Sequence, residues 1–205
     1  MDNLDEISRE IEAELDEKDT VREIALKSSR AIMRLSGSAL RQMLRGEDES
    51  ESLEAARAEA HQLTGILEGH PDLYYSGFVE GAFQELTEVS ILRSILREEP
   101  LKRPKEIGVH SVAYLLGLAD VVGELRRIAL DSLIEGEVER AQKFLRKMES
   151  IYDVLIRFDY PSALVSIRRK QDIARSLIEK TRGEVAVASR GRALESKIGS
   201  LEKKI

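Results

Sequence analysis

Apolar residues in this 205-residue chain recur at spacings of three and four, and little interrupts them. Leu4, Ile7, Ile11 and Leu15 set the pattern. That is the period of a helix buried on one side, not the two-residue alternation of a strand. Val21, Ile24, Ala25, Ala31, Ile32 and Leu35 continue it. The whole chain holds 13 Gly and 4 Pro, too few for an all-β domain with a turn about every ten residues. The breakers cluster at Arg45–Ser50, Gly69–Asp72, Pro100 to Pro104, Gly136 and Pro161. Between them the spacing predicts a helix from Leu4, either restarting at Asp19-Thr20 or running through, with an end near Gly37. Further helices are predicted at Ser52–Leu67, Leu73–Glu98, Ser111–Ile134 and Glu137–Phe158. A last one runs from Ala163, with an interruption near Gly183 or Gly191. The expected fold is all-α: one antiparallel bundle of six to seven helices over residues 1–205, with a Lys-rich tail at 196–205 that frays.

Several chemistries are excluded at this level. There is no Cys, hence no disulfide, thiol nucleophile or Cys-ligated zinc. No apolar run approaches the roughly 20 residues that span a bilayer. The acidic start, Met1 to Glu6, is neither a secretory nor a transit leader, and the expected location is cytoplasmic. No Gly-rich phosphate loop or nucleophile elbow is present. His61 reads as a structural helix residue and His70 as a turn residue.

The net charge of -6 is unevenly spread. Residues 1–19 hold nine acids and two bases, whereas residues 20–46 hold six bases and one acid. Residues 47–99 carry thirteen acids against three bases, and residues 157–205 twelve bases against six acids. A polyanion would therefore be bound through a segregated basic surface rather than the global field. With five Tyr, four Phe and no Trp, base stacking on an aromatic platform is not expected. Nucleic acid would be read by backbone and shape.

Two predicted helices carry carboxylates in unusual company. Glu85 falls on a row with Phe78, Gly81, Leu92 and Leu96, and Glu88 follows one turn later. In the helix from Ser111, the apolar face is Val112, Leu115, Ala119, Val122, Ala129 and Leu133. Asp120 and Glu124 fall opposite, in a stripe with Ala113, Gly117 and Arg127. That stripe is either a plain polar face or a place where another backbone or a ligand comes close. Two such pairs can build an oxygen-rich site suited to Mg²⁺ or Mn²⁺. A di-iron bundle needs Glu-x-x-His on two helices, and His61, His70 and His110 are not so placed.

The segment Gly117-Leu118-Ala119-Asp120-Val121-Val122-Gly123-Glu124-Leu125-Arg126-Arg127, preceded by Tyr114-Leu115-Leu116, resembles the Gly-Val-(Ala/Leu)-Asp-Leu-Thr-Gly-Glu-Leu-Met-Arg segment of the translin family. Gln84-Glu85-Leu86-Thr87-Glu88-Val89-Ser90 resembles the Gln-Glu-x-x-Glu-Ala-Val-Ser stretch of translin-associated factor X. The resemblance covers nearly the whole chain and points to an archaeal-type, catalytic-subunit-like member. It implies about seven helices and a metal-dependent endoribonuclease that encloses RNA in a hollow homo-oligomer, an octamer. It also implies Glu85, Glu88 and Asp120 as catalytic acids and metal ligands, Glu124 as a further ligand, Mg²⁺ or Mn²⁺ as the metal, and Arg127 on the RNA. Plain translin subunits lack the full acid set, so the runner-up is a non-catalytic binder of single-stranded RNA or DNA. Val121-Val122 replaces the family's Leu-Thr, and Val185–Ile205 matches loosely.

Overall fold

The structure, a computed structural model, describes residues 3–202. Those residues form eight α-helices and no strand. Six are long: α1 (Leu4–Leu44), α2 (Ser50–Ile66), α4 (Gly77–Leu96), α6 (Ser111–Ile134), α7 (Val138–Leu155) and α8 (Arg168–Glu202). Two are single turns, α3 (Pro71–Tyr74) and α5 (Pro104–Ile107), each opened by a proline whose missing N–H costs nothing at the first helical position. The chain divides into two compact units, residues 1–117 and 118–205.

In the first unit α1 packs on both α2 and α4. Its buried side is narrow and, Ile32 apart, built from small residues: Ala25, Ser28, Ser29, Ser36 and Ala39. Among the described residues none before Ala25 is buried, and Leu4, Ile7, Ile11 and Leu15 remain exposed. α1 runs through Asp19-Thr20 and does not stop at Gly37. The glycine is retained inside the helix where the Arg41 guanidinium lies over it; a Cβ there would stand 3.3 Å from Arg41 Nη1. The predicted helix from Leu73 to Glu98 is broken, because Ser76 is extended (φ -69°, ψ 149°) between α3 and α4. The turn between α1 and α2 is fastened to the end of α4 by Glu49. This buried carboxylate accepts from Arg93 Nε at 2.8 Å and Arg97 Nη2 at 2.7 Å.

His110 prepares the start of α6. Its Nδ1 accepts from the Ala113 N–H at 3.2 Å, a capping bond for an otherwise orphaned donor. The ring is surrounded by Tyr74, Tyr75 and Phe83, with centroids 5.3–5.8 Å away. Burial pushes its imidazole below the ordinary range, because the charged form loses its hydration there.

In the second unit α7 packs on α8 through Ala141, Leu145, Met148, Ile151 and Leu155 on one side, and Ala174, Ile178, Thr181 and Val185 on the other. Gln171 Nε2 donates to the Leu155 and Phe158 carbonyls at 2.8 and 3.0 Å, closing the exposed end of α7. α8 passes through Gly183 and Gly191 without interruption. Residues 196–202 of the tail belong to α8; the rest of it, 203–205, lies outside the described residues.

Candidate functional site

Glu85 and Glu88 lie on a half-buried stripe of α4 together with Phe78, Glu80, Gly81 and Gln84. The core face of α4 is different: Val79, Ala82, Phe83, Leu86, Thr87 and Val89. The row assigned to Glu85 from spacing is thus the border of the core, since Phe78, Gly81 and Leu96 are only half buried. α4 is apolar enough to be buried nearly all round, and its three acids, Glu80, Glu85 and Glu88, occupy the strip where water still reaches.

The stripe of small residues on α6 is not a solvated face. Ala113 and Gly117 are buried. A Cβ at Gly117 would stand 2.5 Å from the Gln84 carbonyl oxygen and 2.7 Å from Thr87 Cβ. The main chain of α4 therefore comes against α6 where only glycine fits, beside the peptide that leads into Glu85. Of the two readings of this stripe, close approach of another backbone is the one observed.

Beyond Gly117 the polar residues of α6 are held by α8. Lys170 Nζ donates to both oxygens of Asp120, at 2.5 and 2.7 Å, with both side chains mostly buried. Two turns further on, Arg126 grips Glu184 through Nη1 at 2.8 Å and Nη2 at 2.9 Å, and its Nη1 also donates to Thr181 Oγ1 at 2.6 Å. Such bidentate pairs fix geometry as well as charge. Glu124 Oε2 is buried without a hydrogen-bond partner, and the nearest cation is Arg127, 3.9 Å away. Arg127 itself is exposed. Lys170 and Arg126 were missed from sequence. Lys170 sits in the run Arg168-Arg169-Lys170, which reads as a basic patch and gives no sign of a carboxylate fifty residues upstream.

The sequence-predicted acids thus fall as two pairs, Glu85 with Glu88 in the first unit and Asp120 with Glu124 in the second. Among the described residues no three His, Asp or Glu side chains are gathered closely enough to hold a metal ion. In kind, the donors fit a hard cation: all are carboxylates, and Glu124 presents an orphaned buried oxygen.

Residues 2–183 match the model of the translin family. The chain belongs to the translin family. The match ends near the segment from Val185 that already looked loose in sequence. A relative, an uncharacterized protein of Methanocaldococcus jannaschii, is 32% identical over 171 residues, covering 82% of this chain and 76% of that protein. The crystal structure of AfC3PO superposes with a TM-score of 0.82 at 33% identity, covering 90% of this translin-family chain and 98% of the other. A complex of AfC3PO with duplex RNA gives 0.72 at 32% identity, covering 90% and 97%. Apo-NeC3PO, at 24% identity and a TM-score of 0.78, covers 92% and 98% and shares the fold. No helix among the described residues is long and apolar enough to cross a membrane.

Proposed function

We propose that this translin-family chain is a metal-dependent endoribonuclease that works on RNA held within a homo-oligomer, an octamer by family resemblance. RNA binding is supported by the likeness to AfC3PO, whose complex with duplex RNA is solved. The observation that carries catalysis is the state of the α6 carboxylates. Asp120 already holds a cation through both oxygens, and Glu124 keeps a buried oxygen without a hydrogen-bond partner. Glu85, Glu88 and Asp120 would hold Mg²⁺ or Mn²⁺, with Glu124 as a further ligand. Such an ion, when bound, supplies a water of lowered pKa and neutralises charge on the phosphate under attack. Lys170 keeps Asp120 oriented until then. Arg127, exposed beside Glu124, contacts the RNA. Assembly is supported by Leu4, Ile7, Ile11 and Leu15, an apolar stripe left 42–58% exposed, which a monomer would present to water.

Labelled short RNA incubated with Mg²⁺ should be cut into products with 5′-phosphate and 3′-hydroxyl ends, and EDTA should stop it. Asp120→Asn and Glu85→Gln should abolish cutting and leave RNA binding unchanged or tighter. Cutting that survives both substitutions, or 2′,3′-cyclic phosphate ends, overturns the reading. The second reading, a non-catalytic binder of single-stranded RNA or DNA, is favoured by the Lys170 ion pair on Asp120. It predicts binding with no Mg²⁺-dependent product at all.

A further inference from the structure

The C-terminal half of α1 carries Lys27, Arg30, Arg34, Arg41 and Arg45, the last at its C-cap. All five are exposed. At about 100° per residue they fall within an arc of about 60°, and at 1.5 Å per residue they span about 27 Å along the axis. This row lies opposite the buried side, whose centre runs through Ala25, Ser29, Ile32 and Ser36. Arg22, further toward the N-terminus, is neutralised by Asp19 and Glu23. From Lys27 onward none of the five is ion-paired among the described residues. The residues between them are small. Ala31, Gly37 and Ser38 leave the ridge low, and Gly37 gives the Arg41 guanidinium room to lie along it. A chain with net charge -6 has here a continuous cationic row with no counter-charge of its own.

We propose that this row is a binding ridge for the RNA phosphate backbone, each of the five side chains taking a phosphate. The inference rests on the reading of the chain as an RNA binder and names the surface that reading lacks. Cations at axial steps of about 4.5 to 10.5 Å along a straight helix suit a polyanion rather than one small phosphate. No aromatic residue interleaves with them, so the ridge reads no base and holds RNA independently of sequence. A lipid surface would need a large apolar face beside the cations, and along this row the only large apolar side chain left exposed is Met33, the buried residues Ala25, Ile32 and Ala39 being on the side of α1 that packs on α2 and α4. The competing occupant is the acidic segment 1–19 of a second copy.

The test is fluorescence anisotropy of a labelled RNA duplex, in EDTA so that nothing is cut, across about 50–300 mM NaCl. Duplex binding weakens with salt with a log–log slope of about -0.9 per phosphate contacted. Lys27→Gln, Arg30→Gln and Arg34→Gln together should flatten the slope by about 3 and weaken binding about tenfold per cation near 0.1 M salt. Arg41→Gln with Arg45→Gln should flatten it by about 2. A control with the same change of net charge elsewhere (Lys105→Gln, Lys180→Gln, Arg190→Gln) should keep the wild-type slope. Ridge variants with the wild-type slope overturn the proposal. So does loss of assembly in light scattering with RNA binding intact, which would assign the ridge to a second copy's acidic segment. If the wild-type protein binds no RNA, the functional reading itself fails.

Discussion

Gly117→Ala tests the close approach of α6 to the main chain of α4. The added methyl would sit 2.5 Å from the Gln84 carbonyl oxygen, 2.7 Å from Thr87 Cβ and 3.0 Å from Thr87 Cγ2. None of these atoms can step aside cheaply. The carbonyl is main chain, and Thr87 is fully buried with its Oγ1 donating to the Phe83 carbonyl at 2.8 Å. The start of α6 must therefore back away from α4 by a large fraction of an ångström. A gap of about 0.5–1 Å forfeits a quarter to a half of each dispersion contact it opens, and overpacking of this kind costs about 1–3 kcal/mol. Alanine returns up to about 1 kcal/mol through its higher helix propensity. The net expectation is a loss of about 1–2 kcal/mol, or roughly 2–4 °C of Tm per kcal/mol for a chain of this length. Gly65→Ala in α2 is the internal control. No atom lies within 4 Å of its added Cβ, so it should gain stability by up to about 1 kcal/mol. Urea denaturation of both variants, followed by far-UV circular dichroism, gives the comparison. If the two alanines shift the midpoint in the same direction by similar amounts, the close approach is not as described.

Three further outcomes follow from the same structure. Glu49→Gln removes the buried charge shared by Arg93 and Arg97 and leaves Arg93 only the exposed Glu99, so it should cost about 3 kcal/mol in urea unfolding; a change under about 0.5 kcal/mol would mean that the pair does not fasten the turn to α4. His110 is held below its ordinary range by burial, so below pH about 6.5 the unfolded chain takes up a proton the folded chain refuses, and stability falls as the pH is lowered. His110→Asn keeps an acceptor for the Ala113 N–H and should flatten that fall in urea midpoints between pH 7.5 and 5.5; an unchanged pH profile refutes the assignment. Leu4→Ser with Ile11→Ser should shift the protein toward the monomer mass in light scattering without altering its helical circular dichroism, and an assembly that persists at low concentration would remove the N-terminal stripe from the interface.

The helical fold was legible because the three-four spacing is long and rarely broken, and α6 begins and ends where its spacing predicts. Errors arose where tertiary contacts overrule local signals. Gly37 looks like a stop, but inside a helix it costs only about 1 kcal/mol, and the chain uses its bareness to seat Arg41. Ser76 looks like an ordinary helical residue, yet the chain turns there to bring Tyr74 and Tyr75 against His110. The carboxylate pairs were visible as misplaced charges. Their partners were not, since Lys170 lies fifty residues from Asp120 and local spacing says nothing about which helices meet.

The small residues around the acids on α6 show why sequence alone could not choose between a solvated face and a packed one. Ala113 and Gly117 have no polar group to betray water and no bulk to betray a core; only the neighbour decides, and here it is the main chain of α4. The same logic governs the charges. A run of basic residues on a helix reads as a solvated face until its counter-ions are counted. On α8 several are present: Lys170 meets Asp120, Arg182 meets Glu149 and Arg192 meets Glu139. On the outer side of α1, from Lys27 to Arg45, none is supplied among the described residues. Cations matched by acids in the same fold contribute little to an external polyanion, because binding would first have to break the internal pair. The unmatched row on α1 has no such pair to lose, and that is what sets it apart from Lys170, Arg182 and Arg192 as a surface for a polyanion.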